Sequence, residues 1–508
     1  MDIHETVLKA RPVDLDLGPN SVLLNAKDAK AMGIRARGRV RISGGGTITT
    51  ATAFITGTLV RSGEVGILPD IGRMLNVKGR TELALEPVGL PESTLLIRRK
   101  VLGEKLDKSE IASIVNDVVE RKLTDIELSA FVSGLSSHGM DMEEVANLTM
   151  SMVNTGKRIE LNIGRVFDKH SIGGVPGDKT TLLVVPIVAA ANLVIPKTSS
   201  RAITSAAGTA DVMEVLAPIE FGADQIEEII KKAGGCLVWG GTMDLLPADS
   251  MLIEIERPLS LDPECLVLAS VLGKKKAAGS NYVVIDIPVG NGCKVTNDDD
   301  ARNLGIKFIE LGQRLGMQVE CAITFGGQPV GRAVGPALEA REALEALNGK
   351  YRGSFTEKAT SLAGILLELG GAAAHGKGKA RAEELLESGQ ALKKFKQIIK
   401  LQGGNPDIKP EDIELGKFKQ TVNASHEGYV TSLNNAVINR TTRLAGAPRD
   451  KKAGMYLHAK KGHRVEMGAP LFTIYSSSES NLDRAVKYST GAHPLRVEGM
   501  VLQRVNTG

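Results

Sequence analysis

The residues best equipped for chemistry are concentrated in one segment, Asp168-Lys169-His170-Ser171-Ile172-Gly173-Gly174-Val175-Pro176-Gly177-Asp178-Lys179-Thr180-Thr181. Three glycines ahead of an apolar helix let backbone N–H groups approach an anion closely, and the helix N-terminus adds partial positive charge. Lys169, Lys179 and the hydroxyls of Ser171, Thr180 and Thr181 supply further donors, which is the composition of a phosphate cradle. The segment is not the P-loop of nucleotide hydrolases, because that motif needs Lys directly after its last Gly and here Asp178 intervenes. Gly-rich turns also join strands to helices with no ligand present, and this segment alone leaves both readings open.

A second stretch favours the phosphate reading. Lys197-Thr198-Ser199-Ser200-Arg201-Ala202-Ile203-Thr204-Ser205-Ala206-Ala207-Gly208-Thr209 follows a buried strand and carries six hydroxyl residues and two cations. It falls at the carboxyl end of a strand in an α/β sheet, where ligands usually bind. Capping of the next helix explains one or two of these hydroxyls and leaves the rest without a role.

Further on, Leu261-Asp262-Pro263-Glu264 precedes an apolar helix that carries Ser270 and Lys274-Lys275-Lys276. Asp followed by Pro is the ordinary N-cap and first helical residue, so the spacing by itself makes Asp262 a cap. His170 is the competing group for acid–base work, since imidazole titrates near neutrality. The other histidines show no metal-ligand clustering, His375 reads as a turn residue, and no metal is expected. Cys236, Cys265, Cys293 and Cys321 contain no C-x-x-C pair and read as free thiols in a reducing cytoplasm.

The elements that must position these groups fall into four parts. Residues 1–86 are strand-like, with Thr47 to Val60 rich in Thr and β-branched residues, and with a short helix capped by Asn25 and closed by Gly33. From 87 to 160 the period is helical: Ile111, Ile114, Val115 and Val118 share a face, and the capping boxes Thr124-x-x-Glu127 and Asp141-x-x-Glu144 start two further helices. Residues 250–280 are expected to join this helical lobe. From 161 to 420 strands and helices alternate as in a parallel sheet with helical crossovers, Tyr282 to Ile287 being a buried strand and Asp224–Ala233, Ala301–Leu315 and Glu383–Leu401 covering helices. From 421 to 508 the texture is β-rich again, with lipoyl-like strand spacing but no lysine in the hairpin position that lipoylation needs. The fold class is therefore α/β, a helical lobe plus a phosphate-binding lobe, flanked by an N-terminal β domain and a C-terminal α+β module with hammerhead-like spacing.

Composition narrows the partners. With 63 Lys+Arg against 59 Asp+Glu, a net charge of +4 on 508 residues is too dilute for a dedicated nucleic-acid or membrane-surface binder. Aromatics are 3%, leaving little for a base-stacking platform. The N-terminus lacks the apolar core of a signal peptide, and the Leu182–Ile195 run, broken by Pro186 and Asn192, falls short of the ~20 residues of a membrane span. A cytoplasmic enzyme is expected.

Taken together, the two loops resemble those of the nucleoside phosphorylase family that contains thymidine and pyrimidine-nucleoside phosphorylases, whose signature is a Lys-His-Ser-x-Gly-Gly phosphate loop. The resemblance covers about residues 87 to 508. With a β domain in front and SSRAITSAAGT as its second loop, the chain is most similar to the archaeal AMP phosphorylase branch, which converts a nucleoside 5′-monophosphate and phosphate into free base and ribose 1,5-bisphosphate. That resemblance implies Asp262 as proton donor. It places the nucleotide against Gly174, Ser200, Arg201, Ala202, Ile203, Thr204, Ser205 and Thr209, with Ser270 and Lys294 as further contacts and Lys169, His170 and Ser171 at the phosphate. Where the thymidine enzymes have mostly glycine and a His, this chain has Ser200, Arg201, Thr204 and Ser205, donors suited to a second, sugar-borne phosphate. A tension attaches to Asp262, because a helix N-terminus favours carboxylate whereas a donor must hold a proton. Inorganic phosphate is the co-substrate, no cofactor is implied, and a homodimer or larger homo-oligomer is expected. Phosphate and nucleotide are expected on opposite lobes that close before reaction. The rival readings are a thymidine or pyrimidine-nucleoside phosphorylase and a non-catalytic assembly protein.

Overall fold

The computed structural model describes residues 5–501 apart from positions 19, 78, 80, 160, 162, 203 and 204, and it divides into two compact units. The first is Met1–Thr155 with Leu246–Ser270; the second is Gly156–Leu245 with Val271–Gly508.

In the first unit, β1 (Thr6–Pro12), β2 (Ser21–Asn25), β3 (Arg39–Gly44), β4 (Thr47–Thr56), β5 (Glu64–Ile67) and β6 (Glu82–Val88) close into a barrel of order β1-β5-β2-β4-β3-β6. Alternation drives this: Thr49, Ala51 and Ala53 of β4 turn inward while their neighbours face out, and Leu24, Val40, Ile42, Val65 and Leu85 fill the interior. Closure removes the free strand edges that would otherwise invite pairing. The short helix α1 (Ala26–Ala31) is capped as its sequence suggests, the Asn25 side chain accepting from the Lys27 N–H, and Gly33 follows at φ +70°. Helix α2 (Pro69–Met74) completes this part.

The helical part contains α3 (Ser93–Val101), α4 (Lys108–Val119), α5 (Asp125–His138) and α6 (Met142–Thr155), joined by the returning helix Pro247–Leu259, α10 in chain order. Sequence periodicity anticipates α4 to α6 and misses α3, because Ile97 is its only buried large aliphatic residue. Lys100 of α3 instead buries its ammonium 2.9 Å from Glu144, whose other bonds are in the capping box with Asp141 and to the Leu106 N–H. Glu127 of the α5 capping box likewise accepts from Arg39 of β3, tying the barrel to the helices.

The second unit is built on parallel strands. β7 (Phe167–Ser171), β10 (Tyr282–Val289) and β11 (Gln318–Phe325) form a sheet of order β11-β10-β7, and β8 (Ile195–Ser199) pairs with β9 (Gly235–Trp239). A parallel bridge from Val166 to Val194 connects the two sets. The apolar run after the glycine loop is α7 (Thr181–Ala190), buried from Thr181 to Ala189 and packed among α13 (Pro336–Leu347), α14 (Ser354–Leu369) and α16 (Gln390–Leu401). Helices α8 (Thr209–Met213), α9 (Ala223–Ala233), α11 (Glu264–Ala277) and α12 (Asp298–Arg314) complete the crossovers, α11 crossing the boundary between the units. The helix expected over Glu383–Leu401 is two, α15 (Gly378–Glu387) and α16, because Gly389 at φ +77° turns the chain between them.

The C-terminal module contains β13 (Phe418–Asn423), β14 (Gly428–Leu433), β15 (Gly454–Leu457), β16 (Arg464–Val465), β17 (Pro470–Ser476) and β18 (Leu495–Glu498), with α17 (Asn435–Leu444) and α18 (Glu479–Ala492). One of its sheets takes in β12 (Ala333–Val334), which pairs with β15, so the module is hydrogen-bonded into the α/β part of its own unit.

Candidate active site

Strand β7 ends in the glycine loop and α7 starts from it, so the order strand, loop, helix N-terminus holds. Gly173 and Gly174 adopt φ +91° and +93°, a region L side chains avoid. Gly174 also packs against the next crossover: a Cβ there would lie 2.9 Å from the Lys294 N and 3.1 Å from the Cys293 Cα. Two residues far apart in sequence, Gly174 and Lys294, are thereby brought together.

Lys169 is buried, donates 2.8 Å to Thr180 Oγ1, and lies 3.9 Å from both Asp178 Oδ2 and Asp286 Oδ2. Thr180 Oγ1 in turn donates 2.6 Å to Asp178. Burial opposes the Asp178 charge, but Lys169 and Lys358 more than offset it and hold the carboxyl well below its usual range. Ser171 sits beside the same carboxylate without closing a well-formed hydrogen bond. On the neighbouring residue, Asp168 is wholly buried and answers two lysines, Lys275 at 2.7 Å and Lys197 at 3.4 Å. Burial, reinforced by Lys275 and opposed by Asp168, brings the Lys197 ammonium well below its usual pKa. His170 is depressed too, by burial first and then by Lys275, Lys197, Lys274 and Lys169, so its imidazole is neutral at pH 7.

Lys179 corrects the sequence expectation. Its ammonium is fully buried, 2.7 Å from Glu342, with the carbonyls of Gly177, Val330 and Ala333 accepting at 2.8, 2.9 and 3.2 Å and the Phe355 ring 5.0 Å away. This lysine holds the far side of the loop to β12 and α13 and is not available to an anion. Thr180 and Thr181, also expected as phosphate donors, are buried at the start of α7, and Thr180 is committed to Asp178. Lys197, expected in the second loop, lies within strand β8.

The second loop proper begins at Ser200. Asp211 Oδ2 accepts from the N–H groups of Ala202 at 2.7 Å and Gly208 at 3.0 Å, folding the loop over α8. The other Asp211 oxygen faces Lys451 at 2.9 Å, and Asn439 accepts from the Ala206 N–H, so the C-terminal module braces this loop. Sequence reasoning missed both braces, since nothing local links residues more than 200 positions apart. Arg201 lies over the Trp239 ring, and both of its terminal nitrogens bond Glu214, at 2.6 and 2.7 Å. The Glu214 bond raises Arg201 above its ordinary pKa, and Arg201 lowers Glu214 to about 2. Ser205 donates to the Ala207 carbonyl, Ser200 is exposed and Thr209 begins α8. Ile203 and Thr204 lie outside the described residues.

Asp262 and Ser270 belong to the first unit. Asp262 is exposed and lies two residues ahead of Glu264, where α11 begins, and the Pro263 carbonyl accepts from Val267 N–H at 3.0 Å. Ser270 is partly buried on α11. A cavity of about 830 Å³ in the same unit, lined by Arg39, Arg41 and Lys122 among others, contains none of the candidate residues. Among the described residues no cluster of His, Cys, Asp and Glu could hold a metal, and no helix is long and apolar enough to cross a membrane.

In the α/β part, β7 and β8 each lead into a loop that bears cations and hydrogen-bond donors, at the strand ends where such sheets usually bind ligands. Family models agree part by part: a glycosyl transferase family helical bundle domain over residues 94–156, the a/b domain of that family over 163–392, and a pyrimidine nucleoside phosphorylase C-terminal domain over 429–494. The solved structure of anthranilate phosphoribosyltransferase from Thermus thermophilus shares the fold, with a TM-score of 0.50 at 19% identity over 60% of this chain and 98% of that one. AMP phosphorylase of Thermococcus kodakarensis is 52% identical over 98% of this chain and 99% of its own length. That of Pyrococcus furiosus is 51% identical over 97% and 98%, and that of Methanococcus vannielii 49% over 98% and 99%. The chain belongs to the AMP phosphorylase family.

Proposed function

We propose that this protein catalyses phosphorolysis of nucleoside 5′-monophosphates, with inorganic phosphate as co-substrate, to free base and ribose 1,5-bisphosphate. The observation that carries the reading is full-length identity of about half to relatives named AMP phosphorylase, with both phosphate-type loops present in this chain. A phosphate oxygen forms a bond to C1′ while the glycosidic bond to the base breaks and its electron pair leaves with the base. Asp262 supplies the proton that neutralises the departing base, a contribution on the order of 10²–10⁴-fold. A neutral His170 has no imidazolium proton to give at pH 7, which counts against it as the donor. Lys169, His170 and Ser171 bind the attacking phosphate, whose negative charge stabilises an oxocarbenium-like transition state.

The nucleotide is held by Gly174, the Ser200–Ser205 loop, Thr209, Ser270 and Lys294. In this reading Arg201 exchanges Glu214 for the 5′-phosphate, whose oxygens suit the same planar fork. No metal or other cofactor enters the scheme. A cytoplasmic location and a homo-oligomer belong to the same reading. Free cysteines support the former, and exposed Leu95, Leu102 and Ile126 on the first unit support the latter.

The test is phosphate-dependent base release from AMP, CMP, UMP, adenosine and thymidine in parallel. Turnover of the monophosphates is expected, and turnover of the nucleosides alone would overturn the reading. Arg201→Ala should weaken AMP far more than phosphate, and equal loss of both would remove the 5′-phosphate from that loop.

A further inference from the structure

Lys358, on the first turns of α14, has no role in the scheme above, yet it lies at the centre of the charge network behind the glycine loop. Its ammonium is nine-tenths buried, 2.8 Å from Asp286 Oδ2 and 4.0 Å from Asp178 Oδ2. The same two carboxylate oxygens each lie 3.9 Å from Lys169. Asp286 is wholly buried on β10, and its second oxygen takes a 2.5 Å hydrogen bond from Thr324 of β11, while the second oxygen of Asp178 takes the 2.6 Å bond from Thr180, so both carboxylates are held in place. Two lysines therefore answer two fixed carboxylates, and the shares are unequal. Lys358 takes the contact with Asp286, which leaves Lys169 at a distance from both acids and joined by hydrogen bond to Thr180.

Without Lys358, Lys169 would be the one cation close to both acids among the described residues. A flexible four-carbon stem would let its ammonium close from 3.9 Å to contact, drawn away from an anion at the loop. The uncompensated carboxylate would in addition repel that anion through a low-dielectric interior. Burial acts against the Lys358 charge, but Asp178 and Asp286 outweigh it and raise the ammonium pKa, so the residue is cationic at neutral pH.

We infer that Lys358 is a positioning residue for the phosphate half-site: by neutralising Asp286 it keeps the Lys169 ammonium available to the attacking phosphate. The inference rests on placing phosphate at the glycine loop.

Steady-state kinetics with AMP and phosphate varied in turn, together with calorimetric titration of inorganic phosphate, test it. Lys358→Met should raise the phosphate KM and Kd by on the order of tenfold or more while leaving the AMP KM near the wild-type value. Lys358→Arg should retain wild-type phosphate binding. The double variant Asp286→Asn, Lys358→Met should bring phosphate binding most of the way back, since the acid that Lys358 neutralises is then gone. An unchanged phosphate KM in Lys358→Met, or an equal loss for AMP, would overturn the inference. So would a double variant as weak as the single one, which would make Lys358 a direct ligand. Should Lys358→Met fail to fold, Lys358→Arg and the double variant decide it: weak phosphate binding by either, in folded protein, overturns the inference. If the wild type binds phosphate but releases no base from AMP, the functional reading fails and the titrations still judge Lys358.

Discussion

Replacing Lys179 by Met separates a structural lysine from an anion-binding one within the same loop. Met keeps the unbranched stem and removes the ammonium, leaving Glu342 buried without its 2.7 Å partner and taking one donor from each of three carbonyls. Glu342 would still accept from the Arg332 and Ala333 N–H groups, so the loss is that of one partner of a buried pair, about 3–5 kcal/mol. Adding Glu342→Gln removes the orphaned charge, so the double variant should recover a large part of that cost, a coupling of ~1–3 kcal/mol in the cycle. Denaturant titration of the four proteins measures both quantities, and phosphate KM is measured on the folded population. Lys169→Met should show the opposite profile, a strongly raised phosphate KM with a smaller loss of stability. If Lys179→Met unfolds at the wild-type denaturant concentration and loses phosphate affinity, Lys179 is an anion ligand and the reasoning from its burial is refuted.

Gly173→Ala and Gly174→Ala both pay for a positive φ, about 1–2 kcal/mol. Only the second also meets backbone, at the Lys294 N, so it should be the less stable of the two and should raise the AMP KM; equal midpoints in denaturant would remove the loop-to-turn contact. Lys451→Ala takes from Asp211, which holds two N–H groups of the second loop, its nearer cation at 2.9 Å and leaves it Arg201 at 3.6 Å, and should raise the AMP KM with phosphate KM unchanged in steady-state assays. His170 has a folded pKa below its unfolded value of 6.5, so the unfolded chain binds the extra proton first, and its contribution to stability is lost as pH falls from 6.5 toward the folded value. Imidazole ¹⁵N shifts should report a neutral ring at pH 6.5, and a protonated ring there would restore His170 as the donor. Burial pushes the Cys236 and Cys265 thiols up to about 12, so alkylation of both at pH 8 should wait on unfolding, checked by mass spectrometry with and without denaturant.

Much of the fold was legible because its signals are local. The capping boxes at Thr124 and Asp141, the Asn25 cap, the inward alternation of β4 and the buried β10 run each depend on neighbours a few residues away. The glycine loop was legible for the same reason, as was its position between a strand and a helix. Helix α3 was not, because its stabilising partner is Glu144, more than forty residues on, and one ion pair leaves no periodic mark.

The residue types at the two loops were determined by the sequence alone: glycine, lysine and hydroxyl side chains carry their chemistry wherever the chain puts them. Which lysine does what was decided only by the tertiary structure. Lys169 and Lys179 look equivalent in the segment, yet β10 sets Asp286 beside one while α13 sets Glu342 against the other. The physical reason is that an ammonium's role depends on the charges within a few ångströms of it, and the two that tell these lysines apart, Asp286 and Glu342, come from a strand and a helix more than a hundred residues away.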